Sequence, residues 1–223
     1  MRSVLVLSTK APLCPQALGS GACALLLRLD GVSREVARAG ARSFIDAARK
    51  SSAARPQIFV QVAPVTSDKV DDDLEALIGE GLDGVFLEAC EGRHDVQQLA
   101  VKLAVREAEA GLRAGALKIV ALAAQTPASV FGLGAYRGAS KRLVALAMDR
   151  ADLPGGAQAR ATAAALLSLG AAAAGVSALA AAPARRGGPQ VAAYADLRRE
   201  GFTGAMAFSE KEIAAINVAF GGG

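Results

Sequence analysis

Tryptophan is absent from this sequence, and aromatic residues make up only 4% of it. A core built on large rings is therefore excluded, and alanine, leucine and valine must fill the interior. Histidine occurs once, at His94. The three cysteines, Cys14, Cys23 and Cys90, are odd in number and lack metal-type spacing. They read as reduced thiols of a cytoplasmic protein rather than as a disulfide framework. Charge of one sign is scarce too. The net charge is +4, with acids and bases mixed along the chain, so the basic stripe of a nucleic-acid binder is missing. The densest basic pair, Arg185 and Arg186 beside Gly187, reads as a solvated loop or as a local anchor for a phosphate-bearing ligand. No uninterrupted apolar run has membrane length. The nearest, Ala161–Ala182, is mostly alanine and is broken by Gly170, Gly175 and Ser177, so no membrane partner is expected. The opening MRSVLVLSTKAPL lacks the long apolar segment of a signal peptide and reads as a first strand.

What is present is a repeated alternation. The 223 residues, 52% hydrophobic and 21% charged, suit one domain with a sizeable core. Short apolar runs stand at Ser3–Leu7, Cys23–Leu29, Ile58–Val62, Gly84–Leu87, Leu117–Leu122, Leu143–Met148, Val176–Ala180 and Gly204–Phe208. Between them lie helical stretches. Ser33–Lys50 places Val36, Ala37, Ala41, Phe44, Ile45 and Ala48 on one face, with Ser33 as its cap. Asp71–Gly79 opens on Asp71, Asp72 and Asp73, which suit the positive end of a helix dipole. Asp95–Ala114 stops at Gly115. A helix from Pro127 runs to about Ser140, and Gln158–Leu169 is closed by Gly170. Pro189–Glu200 follows, and Ser209 with Glu212 forms a capping box for the last helix.

Continuously apolar strands are those buried on both faces, as in parallel sheets. Eight β/α units predict a closed parallel (β/α)8 barrel spanning residues 1–223. The rival is an open doubly wound sheet. That fold usually carries a glycine-rich turn after its first strand, and Ser8-Thr9-Lys10-Ala11-Pro12 is no such turn.

Several segments, in order and over almost the whole chain, resemble the citrate lyase beta-subunit family within the HpcH/HpaI aldolase superfamily. Arg2-Ser3-Val4-Leu5 matches its RSxL opening. Asp83-Gly84-Val85-Phe86-Leu87, with Glu91 and Asp95-Val96, resembles its DGVVLPKVE…DV segment. Thr126, Val130 and Ala139-Ser140-Lys141-Arg142-Leu143-Val144-Ala145-Leu146 resemble ETAxGV…ASxRVxAL. Gly201-Phe202-Thr203-Gly204, Ile216-Asn217 and Phe220 resemble its GFxG…IN ending. The resemblance implies a TIM barrel that makes or breaks carbon–carbon bonds in 3-hydroxy acids or their coenzyme A thioesters. It also implies Mg2+, held by a Glu and an Asp on successive strands, no organic cofactor, and homo-oligomers, a trimer being favoured. The implied chemistry is coherent, since a divalent cation stabilises the negative charge that develops on an enolate oxygen.

The departures fall on the chemistry. The family's metal Glu corresponds to Gln125, which can ligate but brings no charge, while its metal Asp is kept at Asp152. Mg2+ is therefore expected to bind weakly, between Gln125 and Asp152, with Asp30 or Glu91 reaching it directly or through water. The substrate arginine corresponds to Gln61 and its asparagine to Ala63. The acidic turn becomes Arg28-Leu29-Asp30, the lysine of the ending becomes Ala205, and its His-Pro becomes Ser209-Glu210. Asp149 and Arg150 add opposite charges beside Asp152, and the chain ends soon after Phe220.

The candidate set is thus Asp30 and Glu91 as catalytic carboxylates, Arg28, Gln61 and Ser209 as substrate contacts, and Gln125 and Asp152 as metal ligands. Each has a structural alternative. Asp152 can cap a turn before Pro154, and Gln125 can bond backbone at a strand end. Arg28 can pair with Asp30, and Glu91 can serve as a structural acceptor. Glu88 can lie in the mouth by chance, His94 opens a helix, and Cys90 suits packing better than nucleophilic attack. Two functional classes remain: a lyase or aldolase with an altered first shell, and a catalytically impaired relative that binds a small carboxylate, an acyl-CoA or a partner protein.

Overall fold

The computed structural model describes residues 1–221 apart from 11, 32, 51–54, 150 and 182–189. The basic pair Arg185–Arg186, the residue Arg150 and the Pro189 start of a helix lie outside the described residues. Eight strands follow one another: β1 Ser3–Ser8, β2 Ala24–Arg28, β3 Gln57–Val62, β4 Gly84–Leu87, β5 Lys118–Leu122, β6 Leu143–Met148, β7 Ser177–Ala181 and β8 Gly204–Ala207. Helices α1 Arg34–Arg49, α2 Lys69–Leu77, α3 Arg93–Glu109, α4 Pro127–Phe131, α5 Ala157–Ala174, α6 Gln190–Arg199 and α7 Glu210–Gly221 separate and surround them. A short 3-10 helix at Pro15–Gly19 joins β1 to β2, and a second at Leu133–Tyr136 extends α4.

Each strand pairs in parallel with the next, and β1 closes on β8 through Val4 opposite Met206, so the sheet is a closed barrel. This is the (β/α)8 architecture that the alternation predicts. The unbroken apolar strands divide by the two-residue period of the pleat. Val4, Val6, Ala24, Leu26, Phe59, Phe86, Val120, Leu122, Ala145, Ala147, Leu179, Ala181 and Met206 point inward and fill the barrel. Phe59 and Phe86 meet edge to face at 5.5 Å, so two rings supply much of the bulk in a lumen otherwise rich in alanine. The alternate residues, such as Leu5, Leu25, Leu27, Val60, Leu87 and Leu146, face the helices. Each large aliphatic buried there contributes about 1.5–3 kcal/mol.

Helix α1 buries Ala37, Ala41, Phe44, Ile45 and Ala48, the predicted stripe, but leaves Val36 71% exposed. Its Ser33 occupies the cap position without a side-chain hydrogen bond. The helix from Pro127 is shorter than the sequence suggests, because Gly132 turns it into the Leu133–Tyr136 3-10 segment. Conversely α5 runs through Gly170. A Cβ there would meet the Leu133 carbonyl oxygen at 2.5 Å, so this glycine permits close packing and does not end the helix. The end comes at Gly175, whose φ of 70° gives the left-handed cap. Among the described residues no helix is long and apolar enough to cross a membrane.

Candidate active site at the barrel mouth

The pleat that fills the lumen also selects what lines its C-terminal mouth. Continuing the inward column past the apolar residues leads from Leu26 to Arg28, from Phe59 to Gln61, from Phe86 to Glu88, and from Ala147 to Asp149. The loops after β5 and β6 add Gln125 and Asp152. Arg28, Gln61, Gln125, Asp149, Asp152 and Phe208 line one small cavity of about 20 Å3, open to solvent and floored by Val6, Leu26, Leu122 and Met206. Polar groups over an apolar floor, at this end of a β/α barrel, are the usual arrangement of a ligand site.

Gln125 is tied at both ends. Its Oε1 accepts the backbone N–H of Ala89 at 2.7 Å, and its Nε2 donates to Asp152 Oδ2 at 3.0 Å. The amide orientation follows from these partners, since an N–H demands an acceptor and a carboxylate a donor. The strand-end backbone contact foreseen for Gln125 therefore exists. Its carboxylate-facing atom is an NH2 group, which repels a cation. Ala89 itself adopts φ 45°, a left-handed conformation uncommon outside glycine, at the mouth end of β4.

Arg28 lies opposite Gln61 in the β2–β3 register. Its buried Nε has no hydrogen-bond partner among the described residues. Asp30 stands 4.0 Å from that nitrogen, too far for a hydrogen bond. It is held back because its Oδ1 accepts the Ser8 hydroxyl at 2.8 Å and the Thr9 N–H at 2.9 Å. The predicted Arg28–Asp30 pair is thus a loose approach, and Asp30 serves chiefly to fold the β1 loop over β2. Gln61 is 8% exposed and donates to Glu88 Oε1 at 2.6 Å. Glu88 therefore touches the site through Gln61 and does not itself line the cavity.

Other candidates stand apart. Glu91 is exposed and accepts the Thr126 hydroxyl at 3.0 Å, in keeping with a structural acceptor. Ser209 is exposed at the start of α7, where its N–H and that of Phe208 are taken by Glu212. His94 is exposed in the first turn of α3. Ala205 is fully buried in β8 beside Ser3 and packs with the helix-facing residues, so its lysine counterpart would have had no place in the cavity here. Cys90 is buried, and burial pushes its thiol up to about 11 despite hydrogen bonds from Tyr136 and with Gly92. That makes it inert as a nucleophile near neutral pH.

Two features of the site were not legible as such. Asp73, the last of the three acids that open α2, is 0% exposed. It accepts Arg34 through both oxygens, Arg38 at 2.8 Å and the N–H of Ala63 at 2.9 Å. Burial alone would raise its carboxyl, but these donors hold it below the ordinary carboxylate range. The cluster anchors the end of β3 beneath Gln61. Asp149 is the other, and strand alternation was the available signal for it. Among the described residues no group of three or more His, Cys, Asp or Glu is gathered to hold a metal ion.

This barrel and its mouth have counterparts among solved structures. RipC from Yersinia pestis matches at 18% identity over 98% of this chain and 94% of its own, with a TM-score of 0.74. The citrate lyase beta subunit CitE from Mycobacterium tuberculosis, in complex with magnesium, acetoacetate and coenzyme A, matches at 18% identity. That match covers 100% of this chain and 81% of the other, with a TM-score of 0.74. The fold is that of the citrate lyase beta subunit. Haloferax volcanii malate synthase, in a magnesium and glyoxylate complex, shares it at 15% identity over 98% of this chain and 74% of its own, with a TM-score of 0.78. No protein-family model and no curated protein sequence matches the chain. At such identities the likeness is one of fold, and activity has to be argued from the residues.

Proposed function

We propose that this chain is a citrate lyase beta subunit-like barrel whose mouth binds a small carboxylate, free or at the acyl end of a coenzyme A thioester. On this reading its metal-assisted carbon–carbon lyase chemistry is impaired. The observation that carries it is the Gln125–Asp152 hydrogen bond. Mg2+ seeks oxygen ligands in near-octahedral array, commonly one or two carboxylates with water and substrate. Here the amide oxygen is committed to Ala89 and its NH2 faces the carboxylate, so the donor set fits a resident Mg2+ poorly. The retained cavity, with Arg28 at its rim, supports carboxylate binding without that ion. The magnesium-bearing relatives make the lost charge at position 125 the informative difference.

Titration calorimetry with Mg2+ and Mn2+ tests this on the wild type, Gln125→Glu and Asp152→Ala. The expected result is weak or undetectable binding by the wild type, tighter binding by about tenfold or more for Gln125→Glu, and further loss for Asp152→Ala. Tight wild-type binding, or no response to Gln125→Glu, overturns the impaired-metal reading. Exposed Val101 and Val105 on α3, Phe131 on α4 and Leu169 on α5 offer apolar surface for a homo-oligomer, and the family resemblance favours a trimer. Light scattering at micromolar concentration should return about three times the monomer mass, and a monomer would exclude this assembly.

A further inference from the structure

We infer that copies of this chain join through two unlike, uncharged stripes, α3 of one protomer packing on α5 of the next around a three-fold axis beside Phe131. The inference deepens the homo-oligomer reading above and rests on it.

Charge is unevenly spread over the helical shell. On α1, α2 and one side of α3, charged groups pair across the helix seams: Arg38 with Asp72, Lys102 with Asp71 at 2.7 Å and Arg106 with Glu75 at 3.2 Å. Because Lys102 and Arg106 turn toward α2, the rest of the exposed side of α3 is uncharged through Gln97, Gln98, Val101, Ala104, Val105 and Ala108. Neither α4 nor the Leu133–Tyr136 turn contains a charged residue. In α5 there is one, Arg160, whose Nε donates to the Leu153 carbonyl at 3.0 Å. The outer side of α5 presents Ala161, Ala165, Leu166, Leu169 and Ala172 to solvent. A helix whose outer side stays in water normally carries charge there, and one that is apolar all round is normally buried. A neutral sector therefore runs from α3 to α5, in which Val101 is 66%, Phe131 90% and Leu169 67% exposed. Loss of charge together with exposed aromatic and aliphatic side chains marks the core of a protein–protein contact.

The sector also selects its occupant. It has no charge with which to choose an acidic or basic partner, and it lacks the basic residues that hold a helix on a lipid surface. Another neutral, apolar surface fits it, and its own two edges complement each other. Val101 and Val105 form a branched ridge one turn long on α3, whereas the alanines of α5 leave a shallow groove beside Leu166 and Leu169. Ridges seat in grooves, while α3 against α3 would set ridge on ridge. Unlike edges make a head-to-tail contact, which closes as a ring. Eight evenly spaced helices stand about 45° apart, so α3 and α5 are separated by about 90°. Both stripes narrow that angle. The α3 stripe is turned away from α2, and α5 leans toward α4, where Gly170 packs against the Leu133 carbonyl. Neighbours in a ring of three subtend about 60° at each member. Between the stripes α4 then faces the axis, and Phe131 meets its two counterparts there.

The test is light scattering at micromolar concentration. The proteins are the wild type, Val101→Glu with Val105→Glu, Leu166→Lys with Leu169→Lys, and the variant carrying all four changes, each first checked for a native melting transition. The four side chains are 40% exposed or more, so the fold should persist. Either pair alone should weaken the trimer by about a hundredfold or more and leave a monomer. All four changes together should restore the trimer, because acids on α3 of one copy meet lysines on α5 of the next at every contact. Phe131→Ala, which adds no charge, should weaken the trimer by about tenfold. A trimer that survives either charged pair overturns the inference and leaves the oligomer reading standing. Failure of the four-fold variant to reassemble also overturns it, since contacts of like with like would pair acid with acid. An unchanged Phe131→Ala trimer overturns the axial placement. A wild-type monomer overturns both readings and assigns the neutral sector to a different partner.

Discussion

The two ends of the barrel use the same kinds of residue to opposite effect. At the N-terminal end the buried acids are answered. Glu107, 1% exposed, accepts two hydrogen bonds from Arg142 and the N–H groups of Gly115 and Leu117, which locks α3 to the starts of β5 and β6. Asp83 accepts Arg55 and the N–H of Ile58, and Ser3 donates to Asn217 from α7. At the C-terminal end, among the described residues, Arg28 has a buried nitrogen without an acceptor, and Asp149 accepts only the Ala151 N–H. A satisfied polar network rigidifies, whereas an unsatisfied one forgoes stability and is explained by what it binds. The lower end therefore reads as scaffold and the mouth as the working surface, the division usual in this architecture.

The sharpest way to break that comparison is Glu107→Ala. It strands Arg142, only 12% exposed, and the expected loss is about 3–5 kcal/mol in urea unfolding. The same group sets an acid limit. Burial would raise the Glu107 carboxyl, but Arg142 and the Leu117 and Gly115 N–H groups outweigh it and hold it below the ordinary value of 4.5. A depressed folded value means the stabilisation is fully present above pH 4.5 and is lost as pH falls through that lower value. Unfolding midpoints followed from pH 6 downward to about pH 2.5 should show this decline in the wild type and a shallower one in Glu107→Ala. A variant as stable as the wild type, with the same pH slope, would remove the scaffold role.

At the mouth the expectation reverses in sign and shrinks. Arg28→Met removes an unanswered donor while keeping the apolar stem, so stability should stay level or rise by up to about 1 kcal/mol. Carboxylate binding should be lost in the same protein. A loss of more than about 1 kcal/mol in the denaturant midpoint would make Arg28 a structural residue and blur the contrast between the ends.

Much of the fold was legible. Eight apolar runs, all but the first followed by a helical stretch, leave a parallel barrel as the economical way to bury strands on both faces, and β1–β8 fall within a residue or two of those runs. Where the reading failed, packing outweighed local signals. Gly170 looks like a helix stop but sits mid-helix because α5 crosses the Leu133 carbonyl. Asp73 looks like a dipole acid but is the buried partner of Arg34 and Arg38, residues 39 and 35 positions away. Of the site, Arg28, Gln61, Gln125 and Asp152 do converge on one cavity, while Glu91 and Ser209 point to local structural partners.

The sequence by itself determined the barrel, because the two-residue period of its strands and the spacing of its helices are properties of adjacent residues. It also determined which charges are lost relative to the citrate lyase beta-subunit pattern, since Gln125 and Gln61 are neutral wherever they lie. Only the tertiary structure decided what those changes do. Whether Gln125 turns an oxygen or an NH2 group toward Asp152 depends on the Ala89 N–H, which another loop delivers. Whether Arg28 is paired or waiting depends on Ser8 and Thr9 drawing Asp30 away. Hydrogen bonds act over about 3 Å and only along favourable directions, so their partners are set by the closure of the barrel and not by the order of the chain.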